Sequence, residues 1–177
     1  HRKLSLRALT ERWGFSIIWA SKGDHMPVQQ EIKSQLAKLL ATEDLVVEHR
    51  KVATAQFDVH KRVLTLPMWE SASNSVYDLL VGHEVGHALF TPDEDPPRGI
   101  PHSFINIVED ARIEKLMKRK YPGMSKTFYR GYKNMNDDDF FSIIDEDVNS
   151  MNLADRTNLY FKIGNFIDII FNEEEMD

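Results

Sequence analysis

Residues 82 to 92 read GHEVGHALFTP. Two histidines four positions apart lie one above the other on the same face of an α-helix, so His83 and His87 can aim both imidazoles at one ion. Glu84 projects about a hundred degrees further round. That places it near a water held by the ion without making it a ligand. The chemistry such a trio serves is hydrolysis. A zinc ion polarises a carbonyl and acidifies water, and a glutamate takes the proton and delivers it to the leaving amine. The plainer reading is a pair of core histidines on an apolar helix. Against it stand Gly82 and Gly86, which cost a helix up to about 1 kcal/mol each relative to alanine. A close approach of the helix backbone to a strand or a substrate would explain them.

A catalytic zinc needs a third protein ligand. Position 90 is Phe and position 93 is Asp, so no third histidine follows at the HExxHxxGxxH spacing. The chain has no cysteine, which excludes thiolate ligands and disulfides. The nearest carboxylates fall in NIVEDARIE, residues 106 to 114. If this stretch is helical, Asn106, Asp110 and Glu114 form one stripe, and Glu109 lies on the other flank with Arg112. A ligand with a carboxylate one turn later, reaching the outer N–H of a histidine, is a common arrangement at metal sites. Asp110 as third ligand with Glu114 and Asn106 around it fits that pattern, and Glu109 is the alternative. His102, just before this segment, is the first candidate for stabilising an oxyanion, ahead of Tyr129 and Tyr132. Ordinary solvated acids paired with Arg112, Lys115 and Lys118 would be the bland account of the stripe.

GHEVGHALFTP preceded by SVYDLLV, with FINIVEDARIE after a short loop, resembles the HExxH metallopeptidases encoded by large tailed phages. It is similar more distantly to HExxH proteins whose next helix carries an Asn-x-x-x-Asp stripe, some joined to a von Willebrand A-type domain. The likeness covers residues 50 to 120 well and LADRTNLYFKIG in part, and no DxSxS motif of a von Willebrand A domain is present. The resemblance implies a zincin-like fold, Zn²⁺ as cofactor, Asp110 as third ligand, and a peptide or protein substrate. It also implies a place in the cytoplasm of an infected host.

Several elements must position these residues. GFSIIWA reads as a strand ending in the turn SKGDHMP, and residues 28 to 41 carry apolar side chains at helical spacing. VATAQFDV and RVLTLP, separated by HK, suggest a hairpin or two neighbouring strands. Such a hairpin could offer an edge strand to a peptide substrate. ESASNS can cap a helix over residues 75 to 90, which Thr91-Pro92 ends. DEDPPRGIP is a loop. Ser103 can cap a helix that runs to Pro122-Gly123, and a shorter helix over 124 to 134 follows. LADRTNLYFKIGNFIDIIF reads as a helix interrupted or bent at Gly164, and NEEEMD as a polar tail. Strands followed by helices argue for a single α+β domain over residues 1 to 177, with the sheet before residue 70 and helices from 71 onward.

The 42% hydrophobic content supports a core at 177 residues, and no apolar run approaches a membrane span. Net charge is −6, which disfavours nucleic acid as partner. The patch Lys115, Lys118, Arg119, Lys120 reads first as a solvated helix end. Absence of cysteine suits a reducing cytoplasm. A chain that opens on His1 is expected to be a piece of a longer one. The expected function is zinc-dependent peptide hydrolysis. The alternative is a non-catalytic, metal-stabilised interaction module or an inhibitor of a host protein.

Overall fold

The computed structural model describes residues 37, 46–52, 56–58, 60–67, 73–94 and 97–176. The strand expected at 14 to 20 and, apart from Ala37, the helix expected at 28 to 41 lie outside them. The described part is α+β: a three-stranded sheet followed by helices. Strands β1 (Val46–Arg50), β2 (Gln56–Asp58) and β3 (Val63–Pro67) lie in the order β1-β3-β2. The β2–β3 pair is the expected hairpin, antiparallel with Phe57 opposite Leu64. β1 pairs with β3 in parallel, Val46 opposite Val63. β1, whose five residues are VVEHR, was not anticipated: only its first two residues are β-branched, and charged Glu48 and Arg50 follow. Alternation along β3 puts Leu64 and Leu66, both fully buried, on the face toward the helices.

Helix α1 (Asn74–Phe90) is the centre of the molecule. Ser73 caps it by accepting the Val76 N–H at 3.3 Å, and Asn134 donates to the same hydroxyl at 3.1 Å. Its buried residues run from Val76 to Ala88 on every side, as expected of a helix enclosed by other elements. Thr91, extended before Pro92, ends it. The Arg62 guanidinium donates to the Ala88 carbonyl at 2.9 Å and ties the hairpin to the end of α1.

Helix α2 (His102–Lys120) starts two residues earlier than a Ser103 cap implies. Pro101, not Ser103, occupies the cap position, and no side chain caps the helix. The proline ring presets the backbone, and its carbonyl accepts the Phe104 and Ile105 N–H groups at 3.0 and 3.3 Å. Helix α3 (Met124–Asp137) is three residues longer than anticipated. Helix α4 (Leu153–Ile163) ends at Gly164, an interruption rather than a bend. The tail also has structure: a single turn, α5 (Glu173–Met176), lies against α4, with Glu175 paired to Arg156.

The two glycines of GHEVGH face neighbouring helices, not a strand or a substrate. A Cβ on Gly86 would sit 2.8 Å from Ile113 Cδ1 and 3.0 Å from Met117 Cγ of α2. One on Gly82 would collide with the Met124 methyl of α3. Glycine therefore lets α1 sink between α2 and α3 and brings the histidines within reach of the α2 carboxylates. No helix among the described residues is long and apolar enough to cross a membrane.

Candidate metal centre

His83 is fully buried on α1, and His87 lies one turn later with its side chain 18% exposed. Their Nε2 atoms face each other at 3.1 Å. Asp110, buried on α2, brings Oδ1 to 3.5 Å from His83 Nε2 and 3.4 Å from His87 Nε2. The three atoms thus form a nearly equilateral triangle. Ligands about 2.0–2.1 Å from a tetrahedral zinc stand about 3.3–3.4 Å apart. The triangle matches one face of such a tetrahedron, and these three residues form a group able to hold a metal ion.

Hydrogen bonding outside the triangle prepares both rings. His83 Nδ1 lies 3.0 Å from Glu114 Oε1. A carboxylate oxygen there accepts, so the proton sits on Nδ1 and Nε2 presents its lone pair. Glu114 is held in turn by the Tyr132 hydroxyl, which donates at 2.5 Å from α3. His87 Nδ1 lies 2.9 Å from the Thr91 hydroxyl, which itself donates to Glu109 at 2.7 Å. The hydroxyl proton is spent on Glu109, so Thr91 accepts from His87, and the second ring takes the same tautomer. Arg112 fixes Glu109 with two hydrogen bonds of 2.7 Å and the Phe90 carbonyl with one of 2.6 Å.

Asp110 Oδ1 is buried and makes no hydrogen bond. An orphaned carboxylate oxygen is costly unless something cationic meets it. Its partner Oδ2 is satisfied by the Lys162 ammonium of α4 at 3.2 Å, and Lys162 also donates to Asn158 at 2.8 Å. Burial alone would raise the Asp110 pKa, but Lys162 and the two imidazoles outweigh it and hold the carboxyl below its ordinary range. At His83 burial opposes a charge, yet Asp110 and Glu114 prevail and raise its pKa. The same carboxylates that favour a proton on the rings favour a divalent cation between them.

Glu84 is buried beside the group. Burial pushes its pKa up, the two histidines pull it down, and the net shift is upward. A carboxylate moved toward neutrality is better matched to taking and returning a proton.

The remaining expected residues fall as follows. Glu109 lies outside the triangle, against Thr91 and Arg112. It is more than a surface ion pair, because it orients His87 through Thr91. Asn106, half-buried one turn before Asp110, is also outside the group. His102 is exposed at the first residue of α2, about 12 Å along the axis from Asp110. Tyr129 is half-exposed and packs on Phe166. Tyr132 is buried, its hydroxyl engaged by Glu114. Lys162 and Thr91 received no role from sequence. Thr91 could have been found from its place four residues after His87. Lys162, 52 residues from Asp110, carried no local signal.

No family model, curated protein or solved structure matches the chain.

Proposed function

We propose that the chain is a zincin-like metallopeptidase domain that hydrolyses peptide bonds with zinc held by His83, His87 and Asp110. The observation that carries this reading is the triangle itself: two facing Nε2 atoms and one orphaned carboxylate oxygen at tetrahedral spacing, with Glu84 beside it. Two imidazoles and one carboxylate suit zinc among the common divalent metals. Bound there, zinc supplies Lewis acidity toward a carbonyl oxygen and toward water.

The chain's own residues supply the rest. Three protein ligands leave a fourth position open, as catalytic rather than structural zinc sites do. His87, the partly exposed ligand, marks the side from which a substrate approaches. Glu84 is the general base, and its raised pKa suits it to return the proton to the leaving nitrogen. Glu114 and the Thr91–Glu109 pair keep both rings in the ligating tautomer. Among the described residues β2 is an edge strand, and a peptide could pair with its main chain.

Glu84→Gln tests the reading. The variant should fold and retain zinc while cleavage of an unstructured protein such as casein falls roughly 10²-fold or more. Cleavage at the parent rate would remove Glu84 from the chemistry. A zinc-loaded parent that leaves unstructured proteins intact would favour the metal-stabilised, non-catalytic module.

A further inference from the structure

A cleft of about 310 Å³ runs between α2 and α4, on the side of Asp110 and Glu114 away from the histidines. That volume corresponds to roughly ten water molecules at their share of liquid volume. Lys115, Lys118 and Arg119 of α2 and Lys162 of α4 line it. The two carboxylates in its wall are already engaged: Asp110 by Lys162 at 3.2 Å, and Glu114 by His83, Tyr132 and, at 3.8 Å, Lys118. These contacts use Lys162 and Lys118. They leave Lys115 and Arg119, one helical turn apart, without an ion pair among the described residues.

The cleft therefore holds an excess of two positive charges in a chain whose net charge is −6. Two cations at i and i+4 repel along a helix. The helix dipole accounts for Lys118, Arg119 and Lys120 in the last turn of α2, but Lys115 lies before that turn. The other end of the cleft is apolar. Ile107, Ala111 and Phe161 line it, and Phe161 is half-exposed. A basic end and an apolar end in one small cleft match a ligand of the same two-part character.

We propose that the α2–α4 cleft is a second binding site, for a small organic anion whose carboxylate or phosphate head meets Lys115 and Arg119 and whose apolar body lies on Phe161. The head supplies the charge-assisted hydrogen bonds that the two side chains lack. The body covers the exposed ring face. Asp110 and Lys162 form the wall between this cleft and the metal centre, so the two sites adjoin without sharing a histidine. The site does not rest on the metallopeptidase reading, because neither Lys115, Arg119 nor Phe161 belongs to the metal centre.

Phenyl phosphate is the probe, with inorganic phosphate and phenol as its two halves. In amide NMR spectra of the full chain, phenyl phosphate should give saturable shifts at Lys115, Lys118, Arg119 and Phe161, with a dissociation constant below about 1 mM. Inorganic phosphate should shift the α2 residues more weakly, and phenol should bind last. Exposed Lys115 and Arg119 can be changed without touching the core, so the Lys115→Ala, Arg119→Ala double variant should fold and bind about tenfold or more weakly. Phe161→Ala should erase the preference for phenyl phosphate over inorganic phosphate. A control pair of exposed α3 cations, Lys126→Ala with Arg130→Ala, should change neither. Shifts that do not saturate, that move to His83 and His87 alone, or that weaken equally in the control pair would overturn the site.

Discussion

The two histidines of the candidate metal centre are held in contrasting surroundings. His83 is sealed inside the protein, and its outer N–H meets Glu114 directly, with Tyr132 behind that carboxylate. His87 stands at the rim, and its outer N–H reaches a carboxylate only through Thr91, with Glu109 and Arg112 behind. Both relays select the same tautomer. They differ in cost of failure. A buried polar group stripped of its partner incurs the full desolvation penalty, whereas one at the surface finds water. The inner relay should set the affinity of the site, and the outer relay should leave one ligand adaptable where a substrate arrives.

The largest effect should come from the residue common to both sides. Asp110→Ala removes the proposed third ligand and the carboxylate that Lys162 meets at 3.2 Å. Zinc affinity, measured by competition with a chelator, should fall by roughly 10³-fold or more. Next comes the inner relay: Glu114→Ala should weaken zinc by about 10- to 100-fold. Tyr132→Phe should weaken it less, because Glu114 keeps His83 as a partner. The outer relay is weaker. Thr91→Val and Glu109→Gln should each cost less than about tenfold, and together no more than either alone, since they act in series. Zinc binding weakened more by Glu109→Gln than by Glu114→Ala would invert the comparison.

Packing gives the smallest and most separable test. Gly86→Ala forces a methyl against Ile113 and Met117, both fully buried on the inner side. The overpacking cost of about 1–3 kcal/mol exceeds the gain of up to about 1 kcal/mol in helix propensity. Thermal unfolding should show a net loss. Gly82→Ala meets only the mobile end of Met124 and should be nearer neutral. Equal loss at both positions would mean that α1 is not seated more tightly against α2 than against α3.

What sequence could and could not disclose follows the range of the interactions. His83 and His87, and likewise Asp110 and Glu114, are pairs within one helix, so helical phase alone placed each on a common stripe. The hairpin was legible because β2 and β3 are adjacent and rich in β-formers. The cap of α2 was misread because Ser103 carries the usual side chain, while Pro101 supplies the geometry. Gly164 marks a break in the helical pattern, and α4 ends there. The role of Glu109 needed Thr91, which lies on another segment, and Lys162 needed the docking of α4. Neither has a periodic signature, because tertiary packing sets both.

Zinc-edge X-ray absorption of the zinc-loaded chain tests the central claim most directly. The account predicts about one zinc per chain, bound by two imidazole nitrogens and oxygen donors at about 2.0–2.2 Å, with one imidazole lost in His83→Ala. A spectrum with one imidazole or none, or one unchanged in His83→Ala, would contradict it.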